Sequence, residues 1–104
     1  GYRVPNLIFP AEDAVIVGGA TARRYGKLKW DFTGERSPSD VGEPKFEVQL
    51  ATDGDFVNIV ETARTSKREF TLQGDLPEGA IFWRVRKVKT SEWSRSRKFD
   101  LVYE

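Results

Sequence analysis

The chain lacks histidine, cysteine and methionine altogether in its 104 residues. Without histidine and cysteine it has no imidazole or thiolate for a metal site, no Ser-His-Asp triad, no cysteine nucleophile and no disulfide bond. Nor does any apolar run approach the roughly 18 residues that a membrane-spanning helix requires. We therefore expect no catalytic residues, no metal site, no bound cofactor and no membrane span in this segment.

Charge of one sign is not in excess either. Seventeen basic and sixteen acidic side chains leave a formal net charge of +1. A disordered segment needs low hydrophobicity with a large net charge, and a nucleic-acid-binding domain usually has a strong basic excess. Hydrophobic residues at 38% and aromatic residues at 12% instead indicate a globular domain with a packed core.

The length predicts a single domain over residues 1–104, because it suffices for one domain and is too short for two. A domain of this size buries only about two thirds of its unfolded surface, so without disulfides its stability must come from the core. The chain begins with Gly1 and contains no methionine. We therefore expect it to be excised from a longer protein.

Apolar and polar residues alternate with a period of two, which is typical of strands with one buried face. Two weaker strands are predicted from Leu7 to Phe9, continuing toward Ile16, and from Phe56 to Val60. No stretch shows a helical apolar period over ten residues. The strongest alternation lies in Leu28–Phe32, Phe46–Leu50, Phe70–Leu72, Ile81–Arg86 and Phe99–Tyr103.

Turn-forming residues separate these stretches. Pro5 and Pro10 bracket the first strand and suit an edge position, where a missing N–H is tolerated. Asp53-Gly54 predicts a type I′ hairpin turn, which needs positive φ. About seven short strands joined by turns and not by helices predict an all-β fold, a seven-stranded antiparallel β-sandwich. The predicted core is Leu28, Trp30, Phe46, Val48, Leu50, Phe56, Phe70, Leu72, Leu76, Trp83, Val85, Phe99 and Leu101.

One connection is unusually long. Thr33 to Pro44 is a run of polar and turn-forming residues, TGERSPSDVGEP. Loops of this length are uncommon in compact domains and often carry function. This loop is a candidate contact surface.

Four segments carry a resemblance that covers nearly the whole chain: LKWDF (Leu28–Phe32), FEVQLATDGDFVNIV (Phe46–Val60), LPEGAIFWRVR (Leu76–Arg86) and SEWSRSRKF (Ser91–Phe99). Together they resemble an immunoglobulin-like fibronectin type III domain. More narrowly, they are similar to the fibronectin-like modules of bacterial envelope proteins, including those appended to ferric-citrate-regulator-like proteins. Trp30 matches the core tryptophan of the family's second strand, and Phe46 matches a core aromatic of its third.

The resemblance implies a two-sheet sandwich that acts without catalysis, as a spacer or a protein–protein interaction module. It also implies an extracytoplasmic place (periplasmic, cell-surface or secreted) and a protein partner or neighbouring domains of the same chain. The family often has a tyrosine on the sixth strand whose hydroxyl closes a corner hydrogen bond. Here Ile81 and Phe82 stand at the candidate positions without a hydroxyl, so we expect core packing to compensate.

TSEWS (Thr90–Ser94) resembles the tryptophan-serine box of cytokine-receptor fibronectin domains, in which guanidinium groups stack on indole faces. Arg84 and Arg86 on the preceding strand and Trp93 are the residues that match, whereas Thr90 replaces the family's first tryptophan. The favoured interpretation is a stacked rung that stiffens the sheet. The functional alternative is a protein contact or a sugar platform centred on Trp93.

A basic run near the carboxyl end predicts a charged surface. If the last two strands pair, their basic side chains form one patch that attracts an anionic envelope polymer, phospholipid headgroups or an acidic neighbour. The favoured interpretation, however, is a solvated strand face balanced by the acidic residues between Asp40 and Asp55. Nucleic acid is not expected, because the aromatic residues lie mostly at core positions. The candidate interaction surface is Arg84, Arg86, Trp93, Arg95 and Arg97.

Two acidic motifs carry weaker signals. Asp53, Asp55 and Asn58 lack the further oxygen ligands of a calcium loop and are interpreted as a tight turn. Glu12-Asp13 is interpreted as an ordinary loop, because glycosidase carboxylates must face each other across a cleft.

The rival function is a carbohydrate-binding module, which binds glycans through exposed rings. Its candidate rings are Trp93, Tyr25 and Tyr103.

Overall fold

A computed structural model describes residues 4–18, 24–34 and 44–104, apart from the side chains of Arg24 and Tyr25. Within these ranges the protein is all-β, with eight strands and no helix. In chain order the strands are β1 (Asn6–Phe9), β2 (Ala14–Gly18), β3 (Arg24–Asp31), β4 (Phe46–Ala51), β5 (Ile59–Thr65), β6 (Glu69–Gln73), β7 (Gly79–Lys87) and β8 (Arg97–Tyr103).

The described strands form two sheets. One sheet has three strands in the order β1-β3-β6, and the other has five in the order β2-β8-β7-β4-β5. The neighbours are antiparallel except β2 and β8, which run parallel with Ala14 beside Phe99 and Gly18 beside Tyr103. The all-β prediction is therefore confirmed, whereas the expected seven strands and purely antiparallel pairing are replaced by eight strands and one parallel pair.

The first predicted strand is in fact two strands in different sheets. β1 pairs with β3, and the chain then bends at Pro10 and turns at Glu12 and Asp13 before β2 joins the other sheet beside β8. The Phe9–Pro10 peptide bond is cis, and Pro10 has no N–H to donate to a ladder. The prediction of one strand continuing from Leu7 to Ile16 is therefore wrong.

The β4–β5 hairpin turns more slowly than the Asp53-Gly54 motif predicts. The carboxylate of Asp53 accepts the N–H groups of Val57 at 3.1 Å and Asn58 at 2.8 Å. Phe56, with a φ of 56°, takes the left-handed conformation, and the next strand starts only at Ile59. Short polar side chains can compete in this way with ladder pairing for backbone donors. The predicted two-residue turn is therefore wrong, and the strand predicted from Phe56 to Val60 begins only at Ile59 and continues to Thr65.

Asp53 gives a prediction for acid stability. The N–H groups of Asn58 and then Val57 hold the pKa of its carboxyl below the ordinary value of 3.8. Because the folded pKa is depressed, the stabilisation is full above the unfolded pKa and is lost as pH falls through the folded pKa. We expect Asp53→Asn to have a lower urea midpoint than the native chain at neutral pH. As the pH falls below about 4, its midpoint should decrease less than that of the native chain.

Asp75→Asn is the matched control, because it makes the same change of charge at an exposed loop position. Its urea midpoint should follow the native pH profile. Identical profiles for Asp53→Asn and the native chain would show that the Asp53 carboxylate does not stabilise the turn.

The core lies between the two sheets and follows the predicted alternation. Trp30 meets Phe46 edge-on, with ring centroids 5.8 Å apart. Phe56 is buried outside the main cluster and Phe70 is only partly buried against it, whereas every other predicted core residue is part of it. The buried cluster is Leu7, Leu28, Trp30, Phe32, Phe46, Val48, Leu50, Leu72, Leu76, Ile81, Trp83, Val85, Phe99 and Leu101.

A tyrosine hydroxyl does close a long-range hydrogen bond, from a different strand than the resemblance led us to expect. Tyr103 in β8 donates its hydroxyl to the carbonyl oxygen of Leu76, in the connection between β6 and β7. The ring of Tyr103 packs against the core cluster. Because the N–H of Tyr103 also donates to Oε2 of Glu78, both the backbone and a side chain of β8 bind that connection.

Candidate functional site

The outer face of the five-stranded sheet carries two polar cross-strand pairs. In the antiparallel register of β4 and β7, Glu47 lies opposite Arg86 and Gln49 lies opposite Arg84. Val48 and Val85, the alternate residues of the same strands, are fully buried. Because successive side chains point to opposite faces, burial of one set directs the polar set outward.

Two arginines and two aromatic rings meet on this face. The guanidinium carbon of Arg84 lies 4.2 Å from the centroid of the Phe56 ring and 4.2 Å from that of Trp93. The guanidinium carbon of Arg86 lies 4.8 Å from the Trp93 centroid. At these distances a cation is attracted by the ring quadrupole. We call Phe56, Arg84, Trp93 and Arg86 the arginine–tryptophan stack.

Hydrogen bonds in the guanidinium planes fix the two arginines. Arg84 donates from Nε at 3.0 Å and from Nη2 at 2.8 Å to Oε1 of Gln49. Arg86 donates from Nε at 3.0 Å to Oε1 of Glu47 and from Nη1 at 2.8 Å to the carbonyl oxygen of Thr90. A guanidinium held at its edges keeps its faces available for stacking.

Glu47 is a nearly buried carboxylate between two cations. Its side chain is 9% exposed, and its Oε1 lies 2.8 Å from Nη2 of Arg86. Its Oε2 lies 3.2 Å from Nε of Arg64 on β5. A charge so far removed from water is tolerated because it is paired and hydrogen-bonded. Glu47 thus joins β5, β4 and β7 on the face that carries the stack.

Desolvation acts on Arg84 as well. Burial, followed by the charge of Arg86, lowers the pKa of Arg84 from its usual value. A guanidinium remains charged in proteins nevertheless. Since its hydrogen-bond acceptor is the neutral Gln49 amide, Arg84 brings a net positive charge to the stack.

The segment after β7 places Trp93 on the stack. Ser94 donates its N–H to the carbonyl oxygen of Val85 at 2.8 Å, and its Oγ accepts the N–H of Val85 at 3.0 Å. The Ser94 hydroxyl also donates to the carbonyl oxygen of Arg95. These bonds anchor the segment beside β7, so that the indole of the preceding residue meets both guanidinium groups.

The basic run does not assemble into one patch. Arg97 donates from Nη1 to the carbonyl oxygens of Ile8 in β1 and of Pro10 in the connection that follows it, each at 2.8 Å. Lys98 lies 3.1 Å from a carboxylate oxygen of Asp13. Lys87 is buried. Of the candidate surface, Arg84, Arg86 and Trp93 come together, Arg95 follows at an exposed position, and Arg97 turns to another part of the molecule.

The remaining carboxylate motifs have structural partners. Besides the turn that Asp53 organises, Oε2 of Glu12 accepts the N–H of Lys98 at 3.1 Å. Within the described ranges no group of three or more acidic side chains lies where it could hold a metal ion. In the same ranges no helix is long and apolar enough to cross a membrane.

Two of the rings proposed as a sugar platform, Trp93 and Tyr103, do not share a surface. Trp93 is contacted by two guanidinium groups on the outer face, whereas the ring of Tyr103 packs against the core. The side chain of Tyr25 lies outside the described part of the chain. So does most of the Thr33–Pro44 loop, whose residues 35–43 include Asp40 and Glu43.

Sequence reasoning missed three members of this surface. Glu47 was assigned to an acidic stretch, Phe56 to the core, and Gln49 was given no role. The alternation of β4 already places Glu47 and Gln49 on its polar face. That β4 is the neighbour of β7, however, depends on the strand order and has no local signal.

No protein-family model matches the chain, and no curated protein matches it at a significant level. The fold, the arginine–tryptophan stack and the contacts around them are therefore the observations that bear on function.

Proposed function

We propose that this chain is a non-catalytic fibronectin type III-like module that serves as a protein–protein interaction domain or spacer in a multidomain bacterial envelope or secreted protein. The two-sheet all-β architecture supports this proposal. So does the burial of Trp30 and Phe46, the two residues that carry the resemblance in the core. The extracytoplasmic and bacterial assignments come from the resemblance.

The arginine–tryptophan stack is the observation that carries the interaction role. Tryptophan and arginine are enriched at protein interfaces and dominate their binding energy. Here Gln49 holds Arg84 and Glu47 holds Arg86 before any partner arrives, and both guanidinium groups contact the ring of Trp93. Pre-organised side chains lose less entropy on binding. The exposed Glu92 and Arg95 flank Trp93 and complete a polar rim.

The charge arrangement favours a protein partner, or a neighbouring domain of the same chain, over an anionic polymer. Glu47 shares its carboxylate between Arg86 and Arg64, so the surface around the stack is of mixed sign. A polyanion gains most from a surface of a single positive sign. A protein surface with an apolar centre and a polar rim matches this one better.

Site-specific photo-cross-linking in the native organism tests this proposal. A photoreactive amino acid at Glu92, beside the stack, should capture a protein, whereas one at the exposed Lys29 of the other sheet should not. The captured protein should bind the purified chain, and Trp93→Ala should weaken its affinity tenfold or more, which corresponds to about 1.4 kcal/mol. Lys29→Ala should leave the affinity unchanged.

Two results would contradict an interaction role for the stack. Equal capture at both positions, or capture at neither, would leave the spacer role as the only remaining one. Binding on a glycan array that Trp93→Ala abolishes would favour the carbohydrate-binding alternative.

A further inference from the structure

The edge strand β2 is chemically unlike the other described sheet edges. Its sequence, AVIVG, contains neither charge nor proline. Proteins usually protect exposed edges with charged residues, proline or irregular backbone, because an unprotected edge pairs with another strand. The opposite edge of the same sheet, β5, carries Glu61 and Arg64. Prolines bracket β1, and β6 begins with Glu69.

The backbone of β2 presents hydrogen-bonding groups on its outer side. The carbonyl oxygen of Gly18 accepts the N–H of Glu104, so the polar groups of Gly18 point toward β8. In a parallel ladder every second residue points to the same neighbour. Ile16 therefore also faces β8, whereas Val15 and Val17 direct their N–H and C=O away from it. No other described strand lies on that side.

The side chains of the same two residues form an apolar surface. Val15 is 62% exposed and Val17 is 51% exposed. Val102 of β8, which lies beside Val17 in the register, is 42% exposed. Ile16 packs against the core from the other face. The edge therefore combines backbone groups that no other described strand pairs with and a small valine patch on the outer face of the sheet.

We propose that β2 pairs with β2 of a second copy of this chain, antiparallel and about a two-fold axis beside Ile16. The valines flank Ile16 symmetrically, so this register places Val15 opposite Val17 of the second copy and Val17 opposite its Val15. Both members of each pair direct their backbone groups outward, and an antiparallel pair of this kind exchanges two hydrogen bonds. Cross-strand pairs of β-branched residues stabilise a sheet further.

The sequence of β2 is what identifies a second copy as the occupant. A two-fold interface uses the same patch twice, so the patch must be complementary to itself. β2 meets this condition, because it has no charge to repel its own copy. Nearby charges are already compensated, since Lys98 contacts both Asp13 and Asp100. The pairing joins the two five-stranded sheets into one continuous sheet.

The interface is small, so the dimer is weak. One pair of five-residue strands buries less than the roughly 1,200 Å² of a standard interface, and areas this small are typical of transient complexes. Dimerisation should therefore depend on concentration. It leaves the arginine–tryptophan stack uncovered, because β8 separates β2 from β7 in the sheet.

Sedimentation equilibrium of the purified chain up to about 1 mM tests the proposal. The native chain should dimerise, and Val17→Lys should raise the dimer dissociation constant tenfold or more by placing a charge at the patch. Ile59→Lys, which introduces the same charge at an exposed position of the β5 edge, should leave the constant unchanged. A chain that stays monomeric, or a dimer that both variants weaken equally, would overturn the proposal.

The register has its own test, because the chain contains no native cysteine. An equimolar mixture of Val15→Cys and Val17→Cys chains should form the mixed disulfide faster than either chain forms a disulfide with itself. Cα atoms of opposite residues lie about 5.5 Å apart, within disulfide range. Preferred self-linking of either variant would show that the strands do not pair about Ile16. Circular dichroism of each variant checks that the fold is retained.

Discussion

Replacing Trp30 with alanine is expected to lower the free energy of unfolding by about 3–5 kcal/mol. The indole is buried between the sheets, and its ring meets Phe46 edge-on. Truncation leaves a cavity that a close-packed interior cannot fill. A domain is stable by only about 5–15 kcal/mol, so the variant should be partly unfolded at moderate urea. Urea titration followed by far-ultraviolet circular dichroism measures the change.

Two further variants make this result specific to the core. Nε1 of Trp30 is buried without a hydrogen-bond partner in the described part of the protein, so Trp30→Phe, which keeps an aromatic ring, should cost less than Trp30→Ala. Trp93→Ala on the outer face removes cation–π contacts worth about 0.5–1 kcal/mol each at exposed sites. A urea midpoint that Trp30→Ala leaves unchanged would contradict the assignment of this residue to the core.

Glu47→Ala should destabilise the domain by about 1.5–3 kcal/mol, the range of a hydrogen bond to a charged group. The change removes the carboxylate that holds Arg86 and Arg64. The loss stays below that of a fully buried pair, because Arg64 is largely exposed and can turn to water. Urea titration of the variant at neutral pH measures the effect.

A double-mutant cycle separates the Glu47–Arg86 interaction from side effects of truncation. Its coupling energy should exceed that of Lys27 and Glu69, which lie 2.9 Å apart with 51% and 37% of their side chains exposed. Exposed pairs of this kind contribute at most about 1 kcal/mol. Equal coupling energies for the two pairs would show that burial of Glu47 adds nothing to its interaction with Arg86.

The sequence was sufficient where structure depends on a local pattern. β3, β4, β7 and β8 follow the alternation of apolar and polar residues, because one face of each is buried and the period is a property of the strand itself. The exchange of sheets between β1 and β2 has no such signal. It depends on which strands lie nearby in the folded chain. The wide turn before β5 forms because the Asp53 carboxylate accepts the N–H groups of Val57 and Asn58.

The same division applies to the candidate site. Arg84, Arg86 and Trp93 were predicted together from one strand and the motif that follows it, and they do meet. Glu47 is distant in sequence and becomes their neighbour only through the order of the strands. Charge counting along the chain also failed for Arg97, since a long side chain can reach a distant carbonyl oxygen.

The parallel pairing of β2 and β8 determines how these two strands respond to a pulling force. β2 lies near the amino end of the described chain and β8 near the carboxyl end, and they run in the same direction through the pairs from Ala14–Phe99 to Gly18–Tyr103. A force that pulls the amino end of β2 and the carboxyl end of β8 in opposite directions slides one strand along the other. Their hydrogen bonds lie across the pulling direction and are loaded together, in shear, whereas a hairpin pulled at its open end unzips one bond at a time. In this geometry the β2–β8 pair resists sliding along its length more than a hairpin resists opening from its end.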